Sequence, residues 1–120
     1  SSNDAYQVLR PYMLDLSHEE FWVILLNRAN QVIRCQCISS GGVAGTVADP
    51  KLIFKLALEN LASAMILSHN HPSGNTAPSQ ADKDLTKKMV EAGKFLDMPV
   101  LDHLIFTDKT YLSFADEGML

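Results

Sequence analysis

ILSHNHPSGNTAPSQAD (residues 66–82) joins the end of an apolar run, Ala64-Met65-Ile66-Leu67, to what reads as a helix start. Two histidines one residue apart stand near its head, a proline–glycine loop comes next, and Ser79 and Asp82 close it. Side chains two residues apart in extended chain share a direction, so His69 and His71, just past a buried strand, aim both imidazoles the same way. Two neutral imidazoles meeting at one point are a common beginning for a divalent metal site. Asp82 supplies a third ligand. The helix capped by Ser79 is predicted to run to about Leu96 and to bury Leu85, Met89, Ala92 and Leu96, and Asp82 projects from that same face. A carboxylate aimed inward is costly unless a cation or donors meet it. Two nitrogens, one oxygen and one open position make the donor set of a catalytic zinc site, one ion per chain.

Each piece has a plainer reading. Ser79-x-x-Asp82 is also a capping motif with an acid favoured by the helix dipole, and loop histidines commonly bond to backbone. The conjunction is harder to obtain by chance. With 4 His, 10 Ser and 9 Asp among 120 residues, the pattern H-x-H-x₇-S-x-x-D arises in roughly one shuffled chain in two thousand.

Working outward, 120 residues with 47% apolar content imply one domain over 1–120 that buries a core without disulfides or a structural metal. The net charge is −4 and Lys83, Lys87 and Lys88 are offset by Asp82, Asp84 and Glu91. The basic footprint of a nucleic-acid binder is therefore missing. Cys35 and Cys37 lack a second thiol pair to complete a zinc tetrad and read as packing thiols of a reducing, cytoplasmic protein. No apolar run reaches the roughly 18 residues of a membrane span. The chain opens Ser-Ser-Asn without methionine, so an excised C-terminal domain of a longer protein is expected.

The remaining elements come from periodicity. Residues 1–15 hold a leading amphipathic helix with Tyr6, Leu9 and Met13 at helical spacing. Phe21–Leu26 is a buried strand that pairs as a hairpin with the alternating run Gln31–Ile38. A glycine-rich loop spans 39–49. Asp49 caps a helix opened by Pro50, with Ile53, Leu56, Ala57 and Leu61 on one face. Val100–Thr107 and Tyr111–Phe114 are strands around the turn at 108–110. Helices alternating with hairpins and single strands predict an α/β fold, a three-layer α-β-α sandwich about a mixed sheet.

His69-Asn-His71, seven residues, Ser79, two residues and Asp82 match the JAMM motif of zinc-dependent (iso)peptidases. The variant His-Asn-His-Pro-Ser-Gly, with Pro78-Ser79 and the later Leu101-Asp-His103, resembles the RadC branch, from about Leu16 to Leu120. The resemblance implies a cytidine-deaminase-like (JAMM/MPN) fold and a metal-activated water that attacks a peptide or isopeptide carbonyl. It also implies a glutamate general base ahead of the first strand. RadC-like chains place it two residues before the first aromatic, which selects Glu19. Strand parity agrees, and leaves Glu20 solvated. Ser79 would donate to the developing oxyanion, in competition with its capping role. Asp102-His103 recurs in such chains. Adjacent strand residues face opposite sides, so at most one looks toward the site, in a supporting rather than a ligating role. The family's His-Pro-Arg-Glu segment reads Asp49-Pro50-Lys51-Leu52 here, which leaves the ligands untouched and unsettles whatever contact that segment makes.

The partners implied are a protein or peptide substrate, no membrane and a chain compatible with homodimers. RadC-like proteins carry a DNA repair label, so the second reading is a DNA repair-associated domain acting on or recruited to DNA, with any DNA contact falling mainly on a helix-hairpin-helix segment ahead of this domain. A non-catalytic interaction scaffold is the third reading, disfavoured because every expected ligand type is present.

Overall fold

The computed structural model describes residues 1–41 and 48–120. In chain order the elements are α1 (Ser2–Met13), β1 (Glu20–Leu26), β2 (Val32–Ser40), α2 (Pro50–Glu59), β3 (Ala64–Asn70), α3 (Gln80–Phe95), β4 (Val100–Phe106) and β5 (Tyr111–Ser113). The described strands form one mixed sheet in the order β2-β1-β3-β4-β5, in which β3 and β4 run parallel and the other neighbours antiparallel. A parallel pair needs a crossover, and α3 is that crossover. The middle of the glycine-rich loop expected over 39–49 lies outside the described residues.

Alternation along β1 divides the core into two. Phe21, Val23 and Leu25 pack with Ile53, Phe54 and Ala57 of α2, Met65 and Leu67 of β3, and Met89 of α3. Ile24 and Leu26 face the other way, onto Ala5, Leu9 and Met13 of α1 and Leu104 and Phe106 of β4. Helices thus cover both faces, α1 on one side and α2 with α3 on the other. This is the three-layer α/β arrangement expected. Among the described residues no helix is long and apolar enough to cross a membrane.

Local chemistry explains the joints. The Asn27 side-chain oxygen accepts from the amides of Ala29 and Gln31, and Asn30 takes φ 59°, closing the β1–β2 hairpin. Asp49 accepts from the Lys51 amide with Pro50 in the first turn of α2.

Several expectations shift. Helical spacing puts Leu61 on the buried face of α2, but it is 85% exposed, because it sits past the helix in a left-handed stop (φ 52°) closed by the Ala62 amide on the Ala57 carbonyl. On α3 the buried residues are Thr86, Met89 and Gly93; Ala92 is half-buried and Leu96, the C-cap, is 44% exposed. Strand β3 continues through Asn70, so His69 belongs to the strand rather than the loop beyond it.

An irregularity in β4 decides which of two neighbouring side chains reaches His69. Met65 pairs with Val100 and Ile66 with Asp102, so Leu101 is an extra residue in β4. A bulge of one residue exchanges the two faces of everything after it. Val100 packs on the α2–α3 side, and in unbroken register Asp102 would join it there. The bulge turns His103 to that side instead.

Candidate metal centre

Topology gathers the site at one end of the sheet. Because β1 runs antiparallel to β3, the start of β1 lies beside the end of β3, with Phe21 opposite His69. Strand β4, parallel to β3, ends at the same edge and carries His103 two residues before Ile105, the partner of His69. The first turn of α3 closes the site from the covered face. The carboxyl end of parallel strands is where open α/β sheets leave room for a ligand.

His69, 4% exposed, shares its face with Phe21, whose ring stacks over the imidazole at 6.0 Å. Its Nε2 lies 2.9 Å from His71 Nε2 and 3.2 Å from Asp82 Oδ1. His71 Nε2 lies 3.3 Å from Asp82 Oδ2. Ligand atoms of the three residues fall within 4.8 Å of one another, so the group could hold a metal ion. The chemistry of the set fits a divalent cation: two imidazole nitrogens and a carboxylate converge on one point. His71 Nδ1 donates to the Asn75 carbonyl at 2.7 Å, which turns its Nε2 inward. The loop makes this bond by a tight turn in which the Gly74 amide meets the His71 carbonyl at φ +87°, a conformation suited to glycine.

The electrostatics reflect the geometry. The hydrogen bond with Asp82 raises the His71 pKa against the opposing pull of burial, and the charge of Glu19 adds to the rise. Burial works to raise the Asp82 carboxyl, yet the hydrogen bonds from His69 and His71 prevail and hold it well below the usual carboxylate range.

Capping and convergence coexist at Asp82. Its Oδ2 accepts from the Ser79 amide at 2.8 Å, while its own amide donates to Ser79 Oγ at 3.0 Å. The cap thus occupies a lone pair on Ser79 Oγ and leaves the hydroxyl proton available to donate. Capping and donation are compatible at Ser79 rather than in competition.

Asp102 and His103 part company. Asp102 Oδ2 accepts from Ser113 Oγ at 2.6 Å and Oδ1 from the Ala115 amide at 3.0 Å, which anchors the chain after β5 on the α1 side. His103, fully buried between Phe114 and Phe21, places Nε2 2.8 Å from His69 Nδ1 and Nδ1 2.6 Å from Thr86 Oγ1. Burial drives the His103 pKa well below the ordinary histidine value, so the ring is neutral.

Glu19 precedes β1, half-buried, with the parity of Phe21 and His69. Its neighbours are pinned by a residue that sequence reasoning passes over. Asn70, 3% exposed, accepts from the Glu20 amide at 2.7 Å and donates to the His18 carbonyl at 2.9 Å. One carboxamide thereby holds the backbone on both sides of Glu19. Strand parity predicts a solvated Glu20, but its side chain is only 15% exposed and is bonded to His18 Nε2 and Trp22 Nε1. Thr86 also escapes the sequence reading. Its only sequence signal is that it stands one helical turn after Asp82, on the same face.

Fold and cluster together define an α/β domain with a His-His-Asp candidate metal centre at a sheet end. The chain belongs to the RadC-like JAB domain family, whose model matches residues 1–119. It is similar to a UPF0758 protein of Flavobacterium johnsoniae, 55% identical over 119 residues, which cover 99% of this chain and 52% of that protein. A UPF0758 protein of Porphyromonas gingivalis is 47% identical over 120 residues, 99% of this chain and 53% of that one. The UPF0758 protein YfjY of Escherichia coli is 42% identical over 120 residues, all of this chain and 75% of its own length. The chain thus spans about half the length of the first two relatives.

Proposed function

We propose that this domain is a zinc-dependent metallohydrolase that cleaves a peptide or isopeptide bond. The observation that carries the reading is the convergence of His69, His71 and Asp82 ligand atoms within 4.8 Å of one another. His69 Nε2, His71 Nε2 and the Asp82 carboxylate would hold the ion. The ion would supply Lewis acidity, polarising the carbonyl and making water nucleophilic at neutral pH. Two nitrogens and one oxygen suit zinc with a position left open.

The protein's own residues divide the remaining work. Glu19, whose charge is felt at His71, takes the proton of the attacking water and returns it to the leaving amine. The Ser79 hydroxyl donates to the oxygen on which negative charge develops. Asn70 holds the backbone around Glu19, and the Asn75 carbonyl and His103 hold the two imidazoles. His71 and Asp82 keep side-chain exposures of 13% and 18%, so the cluster reaches the protein surface.

The substrate class we favour is a protein or peptide. A net charge of −4 disfavours the phosphate backbone of DNA as the direct partner. The free thiols Cys35 and Cys37 suit a reducing, cytosolic setting. Protein purified without chelator should carry about one zinc per chain. Asp82→Asn should lose most of it, and Glu19→Gln should keep it. A proteome-wide search should then find new peptide termini made by the parent and not by Glu19→Gln. Zinc retained in full by Asp82→Asn, or identical termini with both proteins, would refute the assignment.

A further inference from the structure

We propose that the Thr86 hydroxyl is a positioning group for the metal centre. By donating to the Asp82 carbonyl it gives direction to a buried chain through His103, which keeps the His69 proton on Nδ1 and leaves Nε2 bare for a divalent cation. The proposal rests on the metallohydrolase reading for its purpose, though not for its geometry.

The direction comes from counting protons. A hydroxyl has one to give. Thr86 Oγ1 lies 2.7 Å from the Asp82 carbonyl oxygen, which can only accept, so the proton belongs there. His103 Nδ1 lies 2.6 Å from the same Oγ1 and must therefore be the donor in that contact. His103 is fully buried against Phe21 and Phe114, and its two ring nitrogens meet His69 Nδ1 and Thr86 Oγ1, so it carries a single ring proton. With that proton on Nδ1, Nε2 accepts, and His69 Nδ1 at 2.8 Å donates to it. The chain runs one way, from His69 through His103 and Thr86 to the Asp82 carbonyl. It ends on the residue whose carboxylate meets His69 Nε2, so it links the strand ligand to the helix ligand through their far sides.

A threonine bonding back to the carbonyl four residues earlier is common on helices and by itself means little. The buried imidazole on the same oxygen gives it consequence. Remove the hydroxyl, and His103 Nδ1 faces an apolar wall whichever way the chain runs. The reversed arrangement, with His103 donating from Nε2 and the His69 proton moved to its own Nε2, then competes. In that arrangement the metal-facing atom is blocked. The bulge at Leu101 is a precondition, because it turns His103 rather than Asp102 toward His69.

The test compares the parent with Thr86→Val, which keeps the shape, and Thr86→Ser, which keeps the hydroxyl. Long-range ¹⁵N–¹H spectra of the metal-free chain at mildly alkaline pH report each imidazole tautomer directly. In the parent, His69 and His103 should both carry the proton on Nδ1. In Thr86→Val, His69 should shift toward the Nε2–H form, and zinc affinity by competition with a chromophoric chelator should fall about tenfold or more. Thr86→Ser should restore both. A parent His103 protonated on Nε2 overturns the proposal, and so does a folded Thr86→Val with parental tautomers and zinc affinity. Should Thr86→Val fail to fold, the parent tautomers decide alone. A parent with the stated tautomers that takes up no zinc supports the relay and overturns the metallohydrolase reading instead.

Discussion

Replacing Asn70 by aspartate changes one atom and inverts one hydrogen bond. The side-chain nitrogen that donates to the His18 carbonyl at 2.9 Å becomes an oxygen facing that carbonyl, while the bond from the Glu20 amide persists. An acceptor left without its donor costs about 1–3 kcal/mol. The new carboxylate is moreover held at a position only 3% exposed and adjacent to Glu19 and Glu20, which adds desolvation and like-charge repulsion. Together these should lower stability by about 3 kcal/mol at neutral pH, a large part of the ~5–15 kcal/mol typical of a domain. The sign of the pH dependence is a stricter check. Burial raises the introduced carboxyl's folded pKa above the unfolded value of about 3.9, so the deficit opens as pH rises from there through the folded value and is largest above it. Once protonated, the group can also donate to His18 again. Urea unfolding of parent and variant at neutral pH and near pH 5 measures both quantities. A variant within about 0.5 kcal/mol of the parent at neutral pH, where effects remote from any specific contact fall, would refute the hold of Asn70 on the backbone around Glu19. So would a deficit that grows toward acid.

Three further outcomes concern other parts of the chain. Gly93→Ala should destabilise by about 3 kcal/mol or more, because a Cβ there would press into the Met98 carbonyl oxygen, which is backbone; a near-parental melting curve would contradict the close approach of α3 to the chain entering β4. Leu61→Gly should stabilise by about 1 kcal/mol, since glycine relieves the left-handed strain at φ 52° and the exposed leucine gives up little burial; denaturant midpoints check it. In chelator-treated protein, the lowered Asp82 contributes stability above about pH 3.9 and the raised His71 contributes it below about pH 6.5, fading as pH climbs through the folded value. Metal-free Asp82→Asn should therefore trail the metal-free parent more near pH 5.5 than near pH 9, and the reverse order would show that the pair is not stabilising.

Much of the candidate site was legible because it depends on local spacing. His69 and His71 come from strand alternation, and Asp82 from its place on a helix face. The layered fold was legible for the same reason, since Phe21–Leu26 and Ile53–Ala57 announce their burial by pattern. The hidden part depends on contacts between distant segments. Asn70 reads as a spacer between histidines until β1 is laid beside β3, and only then does its carboxamide meet His18 and Glu20. Thr86 reads as a polar interruption of an apolar stripe until β4 brings His103 against it. The choice between Asp102 and His103 turns on the bulge at Leu101, which no local residue type betrays. Leu61 and Leu96 mislead because apolar residues at helical spacing say nothing about where a helix stops.

His69, His71 and Asp82 should together take up a single zinc ion. Crystals grown with zinc and measured on either side of its absorption edge test it directly. One anomalous peak per chain is expected, about 2.0–2.2 Å from Nε2 of His69, Nε2 of His71 and an Asp82 carboxylate oxygen. No peak there at full zinc exposure, with the two imidazoles splayed apart and the carboxylate turned to solvent, would contradict it.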